Sequence, residues 1–441
     1  MPVNMVVNMV VRAARPVFVA AALVASATGG VHGDETCQSP YMPKITGEEE
    51  FVYVWTLGVE GLGDGFDKVV TIDVRKDSPS FGKVVDVDSV GGRHEAHHGG
   101  FTDDRRHFWV AGLSDSKIFI FDVATDPSNP KLVRTIDDFT EKSGGIVGPH
   151  GAYALPGRVM ISGLSNTARD GRTGIVEYSN EGEYIATHWM PTAENTQGAE
   201  VEKIADGYGY DARVLPRKNV MLTSSFTGFD NYMRPLGELV QDAEAMKRFG
   251  QTMVLWDFHT RKPKKVFHVP GVPLEVRWAW GPRNNYAFTS TALTSKLWLV
   301  YEDEGTWKAK EVADIGDPSK LPLPVDISLS ADDGTLFVDT FMDGMTRVFD
   351  VSDPHEPKQI YEKKIGSQVN MVSQSWDGRR FYFTSSLLAN WDKTGSDDEQ
   401  FLKAYHWTGS ELTPRFEIDF YAEKLGRPHL MRFGSASLYT N

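Results

Sequence analysis

Four histidines stand in short segments rich in glycine or proline, far apart along the 441-residue chain. His97 and His98 occur in the segment EAHHGG, whereas His150 and His429 each follow a proline. Imidazole suits copper, zinc, iron and nickel, so these histidines are candidate metal ligands if the fold brings them together. Adjacent side chains in an extended strand point to opposite faces, so His97 and His98 reach one ion only where the backbone turns. Structural histidines without a metal are the alternative interpretation.

Three acids are candidates for the same site. Asp211, Glu275 and Asp326 each follow a bulky apolar residue close to the start of a predicted strand. If the fold arranges these acids and the histidines around one central channel, the carboxylates would complete the ligand set of a metal of borderline softness. Acids that only line the channel, with satisfied hydrogen bonds, are the alternative. His94 is a spare ligand or a group behind the ligands, and the sequence contains no Ser-His-Asp order, glycine-rich phosphate loop or CxxC pair.

The elements that would position these residues are short β-rich runs between Gly, Asp, Asn and Pro turns. The runs come in seven pairs: residues 51–55 with 69–73, 108–111 with 118–122, 159–162 with 174–178, 220–223 with 253–257, 286–289 with 297–300, 336–339 with 346–350, and 381–384 with 402–406. Such a recurrence indicates one four-stranded blade per period. We therefore predict an all-β fold, a seven-bladed β-propeller. A large sandwich or two β domains is the alternative, but no linker divides the chain.

The innermost strand of each blade lines the central channel of a propeller. Polar residues just ahead of these strands therefore meet at one mouth of the channel. The pattern predicts inner strands over 325–329 and 371–375 and an outer strand over 131–136. It also predicts a helix over 236–249, where apolar residues recur at helical spacing.

The composition of the chain bears on its export and on its charged partners. Residues 1–33 have the pattern of a secretory signal, with two arginines, an apolar run and then small residues. We predict its removal, leaving a single propeller domain over 34–441; an N-terminal anchor helix is the alternative.

The single cysteine, Cys37, excludes an intramolecular disulfide and is interpreted as a free, idle thiol near a flexible end. A net charge of −14 argues against nucleic acid or an anionic membrane surface as partner.

Several blocks in one order carry a family resemblance: residues 95–100, 116–123, 159–162, 209–211, 219–221, 273–277, 349–354, 384–387 and 428–433. Through them the chain resembles the selenium-binding protein family, and within it the bacterial enzymes that oxidise methanethiol. The resemblance implies a periplasmic, copper-dependent propeller that converts methanethiol, oxygen and water to formaldehyde, hydrogen sulfide and hydrogen peroxide. It also implies that His97, His98, His150 and His429 are the copper ligands.

The implied chemistry gives the acids a role. Copper accepts electrons one at a time and binds soft thiolate sulfur, which suits the oxidation of a thiol by oxygen. Asp211, Glu275 and Asp326 are then the candidate catalytic residues, which orient imidazoles or move protons. One departure concerns selenium, because the cysteine associated with selenium in the animal members has no counterpart here.

The expected partners are thus a small thiol and oxygen, with no nucleic acid and, once the signal is removed, no membrane. Homo-oligomer formation stays open. Two other functions compete with the oxidase: a non-catalytic copper- or ligand-binding periplasmic propeller, and a scaffold that binds protein partners through its blade edges. Oxygen consumption with a small thiol as substrate distinguishes the oxidase from both of these alternatives.

Overall fold

A computed structural model describes residues 34–193 and 204–439 of the chain. The described residues form twenty-eight strands: β1 (Phe51–Leu57), β2 (Lys68–Asp73), β3 (Lys83–Ser89), β4 (Ala96–Phe101), β5 (His107–Gly112), β6 (Lys117–Asp122), β7 (Lys131–Ile136), β8 (Ile146–Leu155), β9 (Arg158–Asn166), β10 (Gly174–Ser179), β11 (Tyr184–Trp189), β12 (Ala212–Leu215), β13 (Val220–Thr223), β14 (Thr252–Asp257), β15 (Lys262–His268), β16 (Pro273–Trp278), β17 (Tyr286–Thr291), β18 (Lys296–Asp303), β19 (Thr306–Asp314), β20 (Pro324–Leu329), β21 (Thr335–Thr340), β22 (Met345–Asp350), β23 (Lys358–Lys364), β24 (Val372–Gln374), β25 (Arg380–Thr384), β26 (Phe401–Trp407), β27 (Leu412–Asp419) and β28 (Arg427–Gly434).

These strands form seven four-stranded antiparallel sheets arranged as a seven-bladed β-propeller. Their strand orders are β28-β1-β2-β3, β4-β5-β6-β7, β11-β10-β9-β8, β12-β13-β14-β15, β16-β17-β18-β19, β20-β21-β22-β23 and β24-β25-β26-β27. The predicted fold is confirmed, and the seven predicted pairs of runs are the two middle strands of the seven blades. The first blade combines the last strand with the first, so that Phe51 pairs with Gly434 and closes the ring.

The middle strands have both faces buried because each blade packs between two others. All seven residues of β1 are buried, whereas the outer strand β3 alternates between exposed and half-buried residues. Large aromatic side chains fill the space between blades, and the indole of Trp55 donates a hydrogen bond to the carbonyl of Ala111 at 2.9 Å.

The helix predicted over 236–249 is wrong. Two single turns, α3 (Leu236–Leu239) and α4 (Ala243–Met246), replace it, after α1 (Phe139–Ser143) and α2 (Phe229–Tyr232) earlier in the chain. The side chain of Asp242 accepts hydrogen bonds from the backbone of Glu244 and Ala245 and so starts α4 afresh. No helix of the described residues is long and apolar enough to span a membrane.

Two loops cover the mouth of the channel where the inner strands begin, called here the upper mouth. The loop between β13 and β14 carries α2 to α4, and the loop between β25 and β26 lies against it. The indole of Trp391 donates to the carbonyl of Arg234 at 3.1 Å, and the amide of Asn390 donates to the carbonyl of Met233 at 2.9 Å. These contacts hold the two loops together over the channel.

Residues 34–41, called here the N-terminal segment, cross the opposite or lower mouth. Glu35 forms a bridge with Ser375, and the carbonyl of Cys37 accepts a hydrogen bond from Arg213 at 3.1 Å. The side chain of Cys37 is only 5% exposed. The sequence interpretation of Cys37 as a thiol near a flexible end is therefore wrong about its surroundings, because residues of several blades, among them Arg213 and Ser375, hold this segment in place.

The signal sequence predicted over residues 1–33 lies outside the described residues.

Candidate metal centre

Irregularities in the inner strands direct the predicted site residues into the channel. The pairing register shifts between Ala96 and Gly99 in β4 and between Pro149 and Ala152 in β8. Similar shifts occur in β16, between residues 273 and 276, and in β20, between residues 324 and 326. A bulge re-aims the side chains next to it, and the histidines of β4 and β8 lie within these shifts. The turn that His97 and His98 require is therefore present.

The glycines that follow His97 and His98 are part of this arrangement. A Cβ atom on Gly99 would lie 2.4 Å from the carbonyl oxygen of Trp109, and one on Gly100 would lie 2.1 Å from that of Ala152. Only a residue without a side chain fits at these positions. The close packing of β4 against β5 and β8 thus fixes where the two imidazoles stand.

The four predicted histidines meet in one buried cluster. His97, His98 and His150 each offer a ring nitrogen, and these three atoms lie within 4.8 Å of one another. The ring of His429 packs against that of His97 at 3.8 Å between centroids and lies 5.1 Å from that of His98. The cluster therefore contains three nitrogens at the spacing of a metal site and a fourth imidazole in contact with them.

The cluster has unsatisfied hydrogen-bonding capacity. Among the described residues, five of its ring nitrogens are buried and lack a hydrogen-bond partner: Nδ1 of His97, Nε2 of His98, both nitrogens of His150 and Nε2 of His429. Buried polar atoms are rarely left unpaired. Three of these histidines offer ring nitrogens within 4.8 Å of one another, and unpaired nitrogens at such spacing fit a metal ion bound by nitrogen donors.

The surroundings keep these imidazoles neutral. Burial lowers the pKa of His150 and of His429 to about 3. Burial, reinforced by the neighbouring imidazoles, also holds the pKa of His97 and of His98 well below the usual value. Neutral imidazole is the form that binds metals, so the protein favours the ligand form across the physiological range.

The three predicted acids lie together beneath the histidines, where arginines bind them. Arg277 donates to Glu275 at 2.7 Å, to Asp326 at 2.9 Å and to Asp211 at 3.3 Å. Arg213 donates to Asp211 at 2.8 Å. Asp211 and Asp326 also accept backbone hydrogen bonds, from Val276 and from Ile327 and Val372 respectively. These five side chains are called here the charged layer.

The acids differ in their freedom to act. Burial raises the pKa of Asp211, but Arg213 and Arg277 outweigh it and lower that pKa to about 2. Burial and the adjacent Asp211 raise the pKa of Glu275 to about 8. Oε1 of Glu275 finds no hydrogen-bond partner among the described residues and lies 3.7 Å from Nδ1 of His98. Glu275 is thus the acid of this layer that faces the histidines.

Sequence reasoning missed the arginines of the charged layer and Glu35. Arg213 and Arg277 lie two residues after an acid, on the same face of a strand, and this spacing was the available signal. Glu35 accepts from the backbone of Phe433 at 2.5 Å and pairs with Arg432 at 3.3 Å. His94 is not part of the cluster, because its Nδ1 lies 2.8 Å from Asp115 instead.

The chain is similar to known proteins over almost its whole length. A family model described as "56kDa selenium binding protein (SBP56)" matches residues 31–435. A methanethiol oxidase of Ruegeria pomeroyi is 66% identical over 412 residues, which cover 92% of this chain and 94% of that protein. A methanethiol oxidase of Hyphomicrobium sp is 56% identical over 419 residues, covering 93% and 94%.

Solved structures agree on the fold. The X-ray structure of a hypothetical selenium-binding protein from Sulfolobus tokodaii superposes with a TM-score of 0.75 at 24% identity, covering 88% of this chain and 94% of that one. A periplasmic gluconolactonase of Pseudomonas aeruginosa superposes with a TM-score of 0.60 at 11% identity, covering 88% and 99%. The match over residues 31–435 and the two highly identical relatives lead to one conclusion: the chain belongs to the 56 kDa selenium-binding protein family.

Proposed function

We propose that this protein is a copper-dependent methanethiol oxidase. The observation that carries the proposal is the buried cluster of four neutral imidazoles with unpaired nitrogens, in a chain whose highly identical relatives are named methanethiol oxidase. The reaction converts methanethiol, oxygen and water to formaldehyde, hydrogen sulfide and hydrogen peroxide. Atoms and electrons balance, because the carbon of the thiol is oxidised while oxygen is reduced to peroxide.

The imidazoles are the residues that would hold the metal. Copper, when bound, would supply one-electron chemistry and a site for a soft thiolate. Nε2 of His98 faces the cluster unpaired, while its Nδ1 lies 3.7 Å from Oε1 of Glu275. A partner on one ring nitrogen fixes the orientation in which the other binds a metal.

Glu275 is proposed to orient His98 and to hold a proton next to the cluster. Its raised pKa keeps the carboxyl protonated near neutral pH in the metal-free protein, so it is suited to exchange protons with a reacting group. Asp211 and Asp326 are proposed to act through Arg277, which they hold against Glu275. All three acids thus keep the functional part predicted for them, and Glu275 is the one whose unpaired oxygen lies 3.7 Å from a ring nitrogen of the cluster.

A direct test measures the reaction of copper-loaded protein with methanethiol. We expect oxygen uptake together with formaldehyde, sulfide and peroxide in equal amounts. The double variant His97→Ala plus His150→Ala should lose turnover and bound copper. His94→Ala is the matched control, because His94 is bonded to Asp115 outside the cluster. Unchanged turnover in the double variant would overturn the site.

A non-catalytic copper-binding propeller is the second candidate, favoured by the same unpaired nitrogens. It predicts that copper binds tightly, that the double variant loses it, and that no thiol causes oxygen uptake. The oxygen measurement on the wild-type protein therefore decides between the two functions.

We also propose that the protein works in the periplasm after removal of residues 1–33. The support is the signal pattern in the sequence. Cell fractionation with N-terminal sequencing of the purified protein tests it. Full-length protein in the cytoplasm would overturn it.

A further inference from the structure

A small buried cavity lies on the other side of the histidines from the charged layer. The space open to the centre of a water-sized molecule is about 20 Å³. His97 contributes the polar part of its lining, and the remaining side chains are apolar or aromatic. Those used below are Tyr210, Leu274, Ala292, Val325, Leu387 and Trp391. We call this cavity the alkyl chamber.

The chamber follows from a pattern that recurs in neighbouring blades. Tyr210, Leu274 and Val325 each come directly before an acid of the charged layer. Successive side chains of an extended strand point in opposite directions, so the apolar residue faces the chamber and the acid faces the arginines. The fold therefore places a dry compartment above the imidazoles and a charged compartment below them.

The second wall of the chamber comes from the loop between β25 and β26. Leu387 and Trp391 line it, and the hydrogen bond from Trp391 to Arg234 fixes the loop over the upper mouth. The ring of Tyr210 packs on that of His150 at 4.0 Å between centroids. Packed side chains from several loops and from three inner strands therefore wall the chamber.

We propose that the alkyl chamber receives the hydrocarbon part of the thiol and that its size restricts the substrate to the shortest thiols. The proposal rests on the proposed oxidase function. A water-sized group needs a space of roughly 10–15 Å³ on this measure, so the chamber accepts a molecule of about two non-hydrogen atoms. Methanethiol has this size. Its methyl group would lie among Leu274, Val325 and Leu387, with the sulfur toward His97.

Longer thiols would have to displace packed side chains. A hydrophobic pocket discriminates about 10–200-fold for a single methylene group. 1-Propanethiol carries two more methylene groups than methanethiol, so we expect its kcat/KM to be at least about tenfold lower. The three residues named above are therefore proposed to determine specificity without taking part in the chemistry.

The test compares kcat/KM for methanethiol and 1-propanethiol in copper-loaded proteins. Leu274→Ala and Leu387→Ala should each raise the ratio for 1-propanethiol over methanethiol at least about tenfold. Leu113→Ala is the matched control, because Leu113 is fully buried in the same apolar cluster without lining the chamber. Its ratio should stay at the wild-type value.

A filling variant tests the same idea from the opposite direction and covers the case in which the alanine variants fail to fold. Ala292→Val adds two methyl groups to the lining and should lower kcat/KM for methanethiol at least about tenfold. If wild-type protein consumes no methanethiol, the proposed function is overturned. If wild-type protein is active and neither the ratios nor the filling variant respond, the chamber proposal alone is overturned.

Discussion

Both mouths of the central channel contain buried polar side chains, but these side chains differ in whether they have hydrogen-bond partners. Near the upper mouth, the imidazoles of His97, His98, His150 and His429 are buried and have unpaired nitrogens. Toward the lower mouth, Glu35 accepts hydrogen bonds from Phe433 and Ser373 and pairs with Arg432. Both regions are polar and buried. The imidazoles leave five ring nitrogens without a partner among the described residues, whereas both carboxylate oxygens of Glu35 in the N-terminal segment accept hydrogen bonds.

This difference separates a site from a structural support. A buried group whose partners are present stabilises the fold, whereas a set of unpaired groups converging on one point costs stability and calls for a ligand. The charged layer lies between these two regions and contains both paired and unpaired polar atoms. Arg277 pairs with all three acids, and Glu275 alone keeps an oxygen free toward the histidines.

Removing a cation from the charged layer should have the largest effect on stability. Arg277→Met leaves three buried carboxyl groups without their shared partner, and breaking such a buried pairing costs about 3–5 kcal/mol. His150→Leu in the unpaired region should change the stability of metal-free protein at pH 7 by less than about 1.5 kcal/mol, because the swap replaces unpaired nitrogens with apolar atoms. Denaturant unfolding of both variants measures this. Equal losses would contradict the contrast.

Substitution of Glu275, which lies between the two regions, should change metal affinity more than it changes the stability of the fold. Glu275→Gln removes the carboxylate behind His98, and loss of such a supporting group costs about 10–100-fold in metal affinity or activity. Competition with a copper chelator gives the affinity, and oxygen uptake gives the turnover. Glu275→Asp, which keeps a carboxyl group that can gain and lose a proton, should recover part of both. Wild-type affinity in the glutamine variant would show that His98 needs no such support.

The pH dependence of stability should show whether His150 is buried in its neutral form. In the folded, metal-free protein the pKa of His150 is about 3, below the value of about 6.5 in the unfolded chain. The unfolded state therefore binds the extra proton first, and wild-type stability falls relative to His150→Leu as the pH drops below about 6.5, by roughly 1.4 kcal/mol per pH unit. Unfolding curves from pH 7 to 5 measure the difference. A constant difference would mean that this imidazole is not buried neutral.

The smallest effect is expected at Cys37. Burial raises the pKa of its thiol to about 12, and the Sγ atom donates to Glu35 at 3.2 Å. The reactive thiolate is therefore scarce, and alkylation at pH 8 should require unfolding. Cys37→Ser should leave turnover close to wild type. Rapid labelling of the native protein would mean that the lower mouth opens.

The sequence was sufficient for the blades but not for their inner edge. Middle strands such as β1 are continuous apolar runs with a strong pattern, so all seven pairs could be located. The inner strands that carry the histidines, β4, β8 and β28, are rich in glycine, proline and histidine, and β4 and β8 contain register shifts. The shift at His97 and His98 depends on close contacts of Gly99 with another strand, and a local pattern does not contain such contacts.

The same reason accounts for the errors at residues 236–249 and at Cys37. The apolar spacing of the first segment is compatible with one helix, but its buried residues pack in a cluster with distant loops, and Asp242 restarts the turn. Cys37 lies close to the N-terminus in sequence, yet its partners include Arg213 and Arg432. The histidine cluster could be predicted because equivalent places in successive repeats converge on one axis.

Ring closure by β28 has a consequence for the order of assembly. The strand that pairs with β1 also carries His429, so a growing chain lacks both the seam and the fourth imidazole until its final blade strand has been made. Contacts between such distant parts of a chain form slowly. A metal bound by His429 and by histidines of other blades would stabilise the seam, because His429 reaches the other imidazoles only when β28 is paired with β1. Occupancy of this fourth ligand would then report that the ring has closed.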